Sequence, residues 1–314
     1  MLYSRRDLGK LALAALPATA LLAAKPNSKW GGVQVGINAP YSFHGMPGSA
    51  DDVEKDVVEL GLSAVELRSQ PIEAFFGCPI SYNTGAGPRT RPTPEEQKAS
   101  ADAIEKWRLA ASVDKFKEFR KKYDDAGIAI QIVKFDGVDK MKDEVVDYAF
   151  GLAKAVGAHA ISCEIPLSKT EWLGGFATKH KMMVGYHGHT NIQSPEAFGA
   201  PASWEKAMTY SKYNGINLDI GHFIAANNTS PIPFLEKYAD RVTHIHVKDR
   251  KKNNGPNTPF GEGDTPIVEV LQFMKKEKYP FQATIEFEYK VPEGSTTMQE
   301  IAKCVAYCKK ALLA

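Results

Sequence analysis

The 314-residue chain has no excess of either charge, since its 39 basic and 37 acidic residues leave a formal charge of +2. These residues are mixed along the chain, so the composition predicts no nucleic-acid partner.

Cysteine is scarce as well. None of the four cysteines stands in a C-x-x-C or Cys/His zinc pattern, which excludes a zinc finger and leaves any disulfide optional.

No hydrophobic run is long enough to cross a membrane. The most apolar stretch, residues 11–24, contains Pro17, and a spanning helix needs about 20 apolar residues. The stretch follows the paired Arg5 and Arg6 and ends in small residues, a layout that resembles a twin-arginine export signal. We therefore predict that residues 1–25 are this signal and that the protein is periplasmic, with no stable membrane insertion after the signal is removed.

The sequence also lacks the glycine-rich turn of a dinucleotide-binding fold, because no G-x-G-x-x-G follows residues 33–38. Instead, eight segments with strand periodicity alternate with helical ones. The segments are 33–38, 63–68, 128–135, 159–165, 181–187, 215–221, 241–247 and 282–288. This pattern predicts an α/β protein with one domain, a (β/α)8 TIM barrel over residues 30–314. The long insertion at about 69–112 is predicted to cover the site as a lid.

The stretch VTHIHVKD, residues 242–249, places two histidines two positions apart in a strand. Side chains alternate between strand faces, so Thr243 and Ile245 share one face, whereas His244, His246 and Lys248 share the other. In a TIM barrel the active site forms at the C-terminal ends of the strands. The same parity directs further ionisable groups to that end: Glu66, Arg68, Glu164, His187, His189, Asp219, Glu286 and Glu288.

Carboxylates that converge in a barrel lumen are costly to bury unless they are paired or bind a metal. The side chains that strand alternation directs to the barrel mouth therefore predict a site for one divalent ion, and the proposed ligands are Glu164, Asp219, His246 and Glu286. The oxygen-rich set favours Mn²⁺, with Mg²⁺, Co²⁺ or Zn²⁺ as alternatives. A salt-bridge network through Lys248 and Arg68 is the competing interpretation, and it is disfavoured because few cations are predicted to face the lumen.

Six motifs follow one another in the order of a known group: C-E-I-P at 163–166, G-Y-H-G-H at 185–189, L-D-I-G-H at 218–222, H-I-H-V-K-D at 244–249, G-E-G-D at 261–264 and I-E-F-E at 285–288. They resemble the sugar phosphate isomerase/epimerase superfamily, the xylose isomerase-like TIM barrel group, over residues 33–312. That group includes ketose 3-epimerases, inosose dehydratases and hydroxypyruvate isomerase. No phosphate cradle is recognisable, so the family name does not identify the substrate.

The resemblance implies the same four metal ligands. It also implies that Glu164 and Glu286 act as an acid/base pair on opposite faces of the substrate and that His222 contacts a substrate oxygen. His187 and His189 match a paired-histidine motif, in which one histidine can bind substrate or carry a proton. Extra ligands of two-metal isomerases and of trinuclear zinc endonucleases are absent from the sequence, so neither class is favoured.

These observations predict a metal-dependent isomerase or epimerase that removes a proton next to the carbonyl of a sugar or keto-sugar through an enediolate. A small-molecule carbohydrate is the expected partner. The predicted catalytic residues are Glu164, Glu286 and His189, and the predicted substrate-binding residues are His222, His187, Lys248, Glu66 and Arg68. Further candidate substrate contacts are Arg89, Arg91 and Arg108.

Three alternatives stay open at this level. The first is a metal-dependent lyase that eliminates a β-substituent from a keto-sugar, a keto-inositol or a 3-keto-glycoside. The second is a non-catalytic sugar-binding barrel, and the third is a hydrolytic metalloenzyme. An intact acid/base pair disfavours the non-catalytic barrel, because binding alone does not require two such carboxylates.

Overall fold

The computed structural model describes residues 25–44, 48–80 and 93–314. The predicted export signal, apart from Lys25, lies outside the described residues, as do Arg89 and Arg91. Among the described helices, none combines the length and the apolar character that a bilayer crossing requires.

Eight parallel strands form a closed barrel. They are β1 (Val33–Ala39), β2 (Ala64–Arg68), β3 (Ala129–Lys134), β4 (Ala160–Cys163), β5 (Met183–His187), β6 (Asn214–Asp219), β7 (Val242–Val247) and β8 (Gln282–Ile285). Each strand pairs with its neighbours in chain order, and β1 pairs with both β2 and β8. A two-residue strand, Lys29–Trp30, adds an antiparallel pairing to β1. The prediction of a single-domain (β/α)8 TIM barrel is confirmed.

Helices surround the barrel. They are α1 (Ala50–Glu59), α2 (Ser69–Phe75), α3 (Pro94–Ala110), α4 (Phe116–Ala126), α5 (Asp143–Ala155), α6 (Thr170–His180), α7 (Pro201–Tyr210), α8 (Ile220–Asn227), α9 (Ile232–Lys237), α10 (Ile267–Glu277) and α11 (Thr297–Leu313). Both α3 and α11 begin with a capping box, in which the N-cap threonine and the residue at N3 exchange hydrogen bonds.

The insertion at 69–112 is helical where it is described, because α2 and α3 lie within it. Apolar side chains of β1–β8 pack outward against the helices in one continuous core. The lumen is polar instead. Asn38, Glu66, Ser162, Asn217 and Thr284 are all fully buried there.

Strand β7 departs from simple alternation. Its register against β6 shifts between Ile216 and Asn217, so that Val242 and His244 are consecutive partners and Thr243 is an extra residue. Thr243 lies against Gly185, where an added Cβ would come within 2.2 Å of the Thr243 hydroxyl. The predicted outward position of Thr243 is therefore wrong, and the bulge is the reason. Beyond the bulge, His246 pairs with Asp219.

Candidate active site and metal centre

Three carboxylates share one buried ammonium group at the barrel mouth. The Lys248 Nζ lies 3.1 Å from an Asp219 oxygen and 2.7 Å from one oxygen each of Glu286 and Glu288. Burial alone would lower the pKa of Lys248, but the charges of Asp219, Glu286 and Glu288 outweigh it and raise this pKa. Lys248 is therefore a charged residue of the site.

Glu286 follows directly after β8 and is held from two sides. Its Oε1 accepts a hydrogen bond of 2.8 Å from the Asn38 amide, and its Oε2 lies 3.1 Å from His246 Nδ1. Burial would raise the pKa of Glu286, yet the positive charges of His246 and Lys248 hold it well below its usual value. Glu286 is thus ionised at neutral pH.

Asp219 has a structural role as well as a chemical one. It is the N-cap of α8, and its Oδ1 accepts a hydrogen bond of 2.6 Å from the His222 backbone N–H. Its Oδ2 is buried and faces Lys248 Nζ at 3.1 Å. Burial raises the pKa of Asp219 to about 6. The N-cap position therefore fixes one oxygen and directs the other towards the cations of the mouth.

Glu66 forms a deeper layer with the two histidines of β7. One Glu66 oxygen lies 2.5 Å from His246 Nε2 and 3.3 Å from His244 Nε2, and all three side chains are fully buried. Burial would lower the pKa of His246, but the charges of Glu286 and Glu66 raise it to about 10. Glu66 thus contacts histidines and not the pocket, so the structure places it beneath the predicted substrate position.

Glu164 stands apart from the other three predicted metal ligands. Strand β4 ends at Cys163, one residue before it, and the Glu164 side chain is 43% exposed. It forms an ion pair with Lys134 and lies 3.0 Å from His189 Nε2. Burial would raise the pKa of Glu164, but the His189 hydrogen bond and the Lys134 charge lower it.

The structure brings several possible metal ligands together. Ligand atoms of His187, Asp219, His222 and Glu286 lie within 4.8 Å of one another. His246 Nδ1 also lies 3.1 Å from Glu286 and 4.0 Å from Asp219. Among the described residues, the buried His187 Nδ1 has no hydrogen-bond partner. Asp219 Oδ2 and Glu286 Oε2 face the same region, where Lys248 Nζ forms an ion pair with each.

Carboxylate oxygens and imidazole nitrogens that face one another form a donor set that suits a divalent cation. These residues therefore fit a metal ion. Glu164 is not within this group, and its predicted role as the fourth ligand stays a prediction. Asp219, His246 and Glu286 do converge.

The remaining predicted histidines line the same mouth. His187 is buried, its ring centroid is 4.6 Å from that of His246, and burial holds its pKa well below the usual value. His222 Nε2 lies 3.0 Å from Lys248 Nζ. His189 is 51% exposed and its ring centroid lies 4.9 Å from that of His222. The structure thus gathers His187, His189 and His222 around one opening.

The predicted arginines are engaged elsewhere. Arg68 pairs with Asp136 and its guanidinium stacks over Tyr41, 4.8 Å from the ring centroid. Arg108 makes hydrogen bonds of 2.7 and 3.0 Å to the two oxygens of the buried Glu73. Arg108 therefore joins α3 to α2 and lies away from the carboxylates of the mouth.

Lys134 and Tyr41 are site residues that the sequence reasoning missed. Lys134 is buried at the end of β3 and pairs with Glu164. Tyr41 donates a hydrogen bond to Glu288. Strand parity from Ile132 could have found Lys134, because both residues lie on the lumen face of β3 beside Glu66 and Ser162. With Lys134 and Lys248 both buried, the lumen holds more cations than the sequence reasoning expected.

A cavity of about 250 Å³ opens on the Glu164 side of the mouth. His187, His189, Pro166, Glu196 and Phe198 are among the residues that line it. Strands β4 and β8 lie four positions apart in an eight-membered ring, so Glu164 and Glu286 stand on opposite sides of the barrel mouth. Glu164 lines the cavity itself, whereas Glu286 belongs to the group of carboxylates and histidines next to it, which it shares with His187.

Comparisons with known proteins agree with this architecture. The model of the xylose isomerase-like TIM barrel family matches residues 202–308, which include β6, β7 and β8. The inosose dehydratase of Clostridium beijerinckii is 29% identical over 135 residues, a match that covers 42% of this chain and 38% of that protein. The chain thus spans well under half the length of this curated relative.

Solved structures match over nearly the whole barrel. A probable 3-DHS dehydratase from Bacillus anthracis has a TM-score of 0.60 at 12% identity, covering 88% of this chain and 99% of the other. The 3-keto-D-glucoside 4-epimerase from E. coli has a TM-score of 0.59 at 10% identity, covering 88% and 99%. At these identities the likeness concerns the fold alone: the chain is a single-domain TIM barrel, and over residues 202–308 it is similar to the xylose isomerase-like TIM barrel family.

Proposed function

We propose that the protein is a metal-dependent enzyme that moves a proton at the carbon beside the carbonyl of a sugar or keto-sugar, as an isomerase or epimerase. The observation that supports this most directly is the placement of Glu164 and Glu286. They stand on opposite sides of one barrel mouth, and two carboxylates in such positions can act on the two faces of a flat, enolised carbon.

Each carboxylate is prepared to accept a proton. Glu286 is fixed by Asn38 and Lys248, and Glu164 is fixed by Lys134 and His189. The pKa of each carboxyl lies below its usual value, so both enter the reaction ionised. Glu286 would remove the proton as the base. Glu164, after it has taken a proton from His189, would deliver that proton to the opposite face, which gives epimerisation, whereas return of the abstracted proton by Glu286 to the neighbouring carbon gives isomerisation.

His189 connects Glu164 to the solvent. Its Nε2 lies 3.0 Å from a Glu164 oxygen, and half of its side chain is exposed. A histidine in this position can carry a proton between Glu164 and the solvent, because each of its two ring nitrogens can donate or accept a hydrogen bond. His222 and Lys248 would hold a substrate oxygen, since both are buried at the mouth and lie 3.0 Å from each other.

Asp219, Glu286 and His246, with His187 beside them, would hold the metal ion. When bound, a divalent ion supplies Lewis acidity that polarises a carbonyl oxygen. Mn²⁺ is our first candidate, and Mg²⁺, Co²⁺ and Zn²⁺ are the alternatives, because carboxylate oxygens and imidazole form the set.

A lyase is the second candidate function. It is favoured by the inosose dehydratase of Clostridium beijerinckii among the relatives and by the probable 3-DHS dehydratase among the structures. The same proton removal starts both reactions. In the lyase, however, the second acid protonates a leaving hydroxyl or glycosidic oxygen instead of carbon. A carbohydrate with a carbonyl group, such as a keto-inositol or a 3-keto-glycoside, is the substrate class in this case.

Proton transfer can be tested in D₂O. We would incubate the purified protein and Mn²⁺ with keto-hexoses, a 2-keto-inositol and a 3-keto-glucoside, and follow each by NMR. Deuterium next to the carbonyl with a rearranged sugar supports the isomerase or epimerase, and an unsaturated product supports the lyase. Hydrolysis without deuterium would point to the hydrolytic enzyme, and binding without any reaction would point to the non-catalytic barrel.

Variants assign the two carboxylates. We expect Glu164→Gln and Glu286→Gln each to lower the exchange rate by roughly 10²-fold or more, because each removes an acid/base group. Glu293→Gln is the matched control, since Glu293 is exposed on the loop that follows β8. Full activity of Glu286→Gln would remove Glu286 from the mechanism.

We also propose that the protein is exported to the periplasm through a twin-arginine pathway. The paired Arg5 and Arg6 ahead of an apolar stretch support this. In cells, the double variant Arg5→Lys, Arg6→Lys should keep the protein in the cytoplasm. Export of that variant at the native level, measured by cell fractionation, would contradict the proposal.

A further inference from the structure

A second pocket lies outside the cluster of titratable residues. Its volume is about 380 Å³, within the roughly 300–1,000 Å³ range of small-molecule sites. Three segments build it: the loop after His189, the end of α8 and the loop after β7. None of its nine lining residues carries a charge, although charged residues make up 24% of the chain.

Amide side chains dominate the lining. Six of the nine residues are polar: Thr190, Asn191, Gln193, Asn228, Asn253 and Asn254. An amide offers both N–H donors and a carbonyl acceptor, which is what a hydroxyl group requires. Ile192 adds an apolar contact and is 43% exposed. An anion or cation would find no counter-charge here, and a wholly apolar ligand would bury amides without partners.

Hydrogen bonds fix the walls of the pocket to one helix. Asn228 Oδ1 accepts from the Asn253 backbone N–H at 2.7 Å, and the Asn254 N–H donates to the Ala225 carbonyl at 2.8 Å. On the other side, the Asn227 amide donates to the Gly199 carbonyl at 2.9 Å. The end of α8 thus joins both loops, and the pocket is formed without a ligand.

Three of these asparagines have an unusual backbone. Five non-glycine residues of the described chain have positive φ, and three of them, Asn228, Asn253 and Asn254, line this pocket. Glycine adopts this conformation at lower cost than asparagine. Within residues 25–44, 48–80 and 93–314, the side-chain amides of Asn253 and Asn254 have no hydrogen bond of their own, so the turn does not use them.

We propose that this pocket binds a neutral, polyhydroxylated ligand, namely a saccharide unit. Its amides would bond the hydroxyl groups, and Ile192 would contact the apolar C–H face of the ring. The proposal does not depend on the reaction at the barrel mouth.

The pocket is also connected to the mouth. Arg250, which precedes Asn253 and Asn254, lies with its Nη1 2.6 Å from His222 Nδ1. Its Nε and Nη2 donate to the Gly255 carbonyl at 3.1 and 2.6 Å. The loop thus lines the pocket through Asn253 and Asn254 and contacts the predicted substrate residue His222 through Arg250, an arrangement that suits a second unit of a longer carbohydrate.

Selective ¹⁵N labelling of asparagine separates the two sites in one sample. The side-chain amide signals of Asn253 and Asn254 are assigned by their loss in Asn253→Gly and Asn254→Gly, which tolerate the positive φ. Asn38 and Asn217 report on the mouth, because they contact Glu286 and His246. Maltose, cellobiose and trehalose are the neutral probes, and glucose 6-phosphate is the charged comparison.

We expect at least one neutral disaccharide to shift the Asn253 and Asn254 signals, and glucose 6-phosphate to shift them less. In the double glycine variant, the Asn191 and Asn228 signals should report a Kd at least about tenfold weaker, since two amide partners are lost. Lys181→Gly is the matched control, because Lys181 also has positive φ and lies outside the pocket. It should bind as the native protein does.

Three results would overturn the proposal: no shift with any of the three disaccharides, shifts confined to Asn38 and Asn217, or tighter binding of glucose 6-phosphate. Repeating the titration in Glu286→Gln keeps the two proposals apart. If the disaccharides still shift the Asn253 and Asn254 signals of Glu286→Gln, and this variant no longer exchanges deuterium into the keto-sugars, both proposals are supported. If the native protein shows these shifts but exchanges no deuterium with any keto-sugar, the proposed reaction is rejected and the saccharide site is retained.

Discussion

Lys248 is 2% exposed, and its ammonium group is the common neighbour of Asp219, Glu286 and Glu288. Replacing it with methionine would leave Asp219 and Glu288 without their ammonium partner and Glu286 with only His246 as a cationic neighbour. We expect Lys248→Met to lower the free energy of unfolding by roughly 3–5 kcal/mol, because a buried charge group loses its partner. Urea denaturation followed by circular dichroism measures this.

Lys251→Met is the control for that experiment. Its Nζ lies 3.9 Å from Asp264, and its side chain is 45% exposed, so its loss should change stability by less than about 1 kcal/mol. Equal stability of the two variants would contradict a charged Lys248 in the native protein.

Residue types and strand parity could predict most of the site, but not how each side chain is used. The structure brings His246, Asp219 and Glu286 together because each lies within one residue of the C-terminal end of its strand. Glu164 also follows its strand, yet it pairs with Lys134 and His189. The alternation of side chains predicts which face of the sheet a residue lies on only while that residue is part of a strand. Beyond the end of the strand, it cannot decide whether a side chain binds a metal or forms an ion pair.

At the scale of the element, Asp219 joins a strand to a helix. We expect Asp219→Asn to keep the N-cap of α8 and to lose affinity for Mn²⁺, since asparagine caps as well as aspartate but carries no charge. Asp219→Ala should lose both the N-cap and the affinity for Mn²⁺, and its free energy of unfolding should be about 1 kcal/mol lower than that of Asp219→Asn. Calorimetric titration with Mn²⁺ and urea unfolding measure the two effects separately. Native Mn²⁺ affinity in Asp219→Asn would exclude Asp219 as a ligand.

Helices α5 and α6 are joined by Asp147, which lies 2.6 Å from Lys179 Nζ and 2.7 Å from His180 Nε2. Burial would raise the pKa of Asp147, but these partners lower it below its usual value. The folded state therefore binds the proton less tightly than the unfolded state, and the pair stabilises the protein above the unfolded pKa, near 4.

From this we expect Asp147→Asn to be less stable than the native protein at pH 7, by up to about 1 kcal/mol because the pair is partly exposed. The difference should shrink as the pH falls below 4, where the native carboxylate gains a proton. Thermal unfolding at pH 7 and at pH 3 measures it. A difference that grows in acid would contradict the lowered pKa.

Elements with strong periodicity were predictable, whereas helices such as α6 and α8 give only a weak signal in the sequence. Helix α6 contains Gly174 and Gly175, and α8 contains Gly221 with a mostly apolar sequence. Glycine weakens the helical signal, and a helix buried on nearly all sides has no amphipathic pattern to detect. Strand β8 ends at Ile285, earlier than the predicted 288.

At the scale of the whole molecule, metal binding should stabilise the fold. A ligand that binds only the folded state at about 100 times its Kd adds about 2.7 kcal/mol. We expect Mn²⁺ to raise the Tm by this mechanism and a chelator to reverse it. Because a metal ligand must be deprotonated, and the pKa of His246 is raised to about 10, the affinity for Mn²⁺ should weaken as the pH falls.

Two controls sharpen this prediction. Ca²⁺, which prefers a larger set of oxygen ligands, should stabilise less than Mn²⁺. In the Glu286→Gln variant, Mn²⁺ should raise the Tm much less than it does in the native protein. The same rise in Tm in that variant would place the ion elsewhere in the protein.

Closure of the barrel through β1 and β8 leaves no unpaired edge among the eight parallel strands. Glu164 and Glu286, and the loops that build the saccharide pocket, lie beyond the ends of those strands. Evolution, or a protein engineer, can therefore exchange such loops without disturbing any strand pairing. The ring of strands is a reusable frame on which new specificities can be grafted.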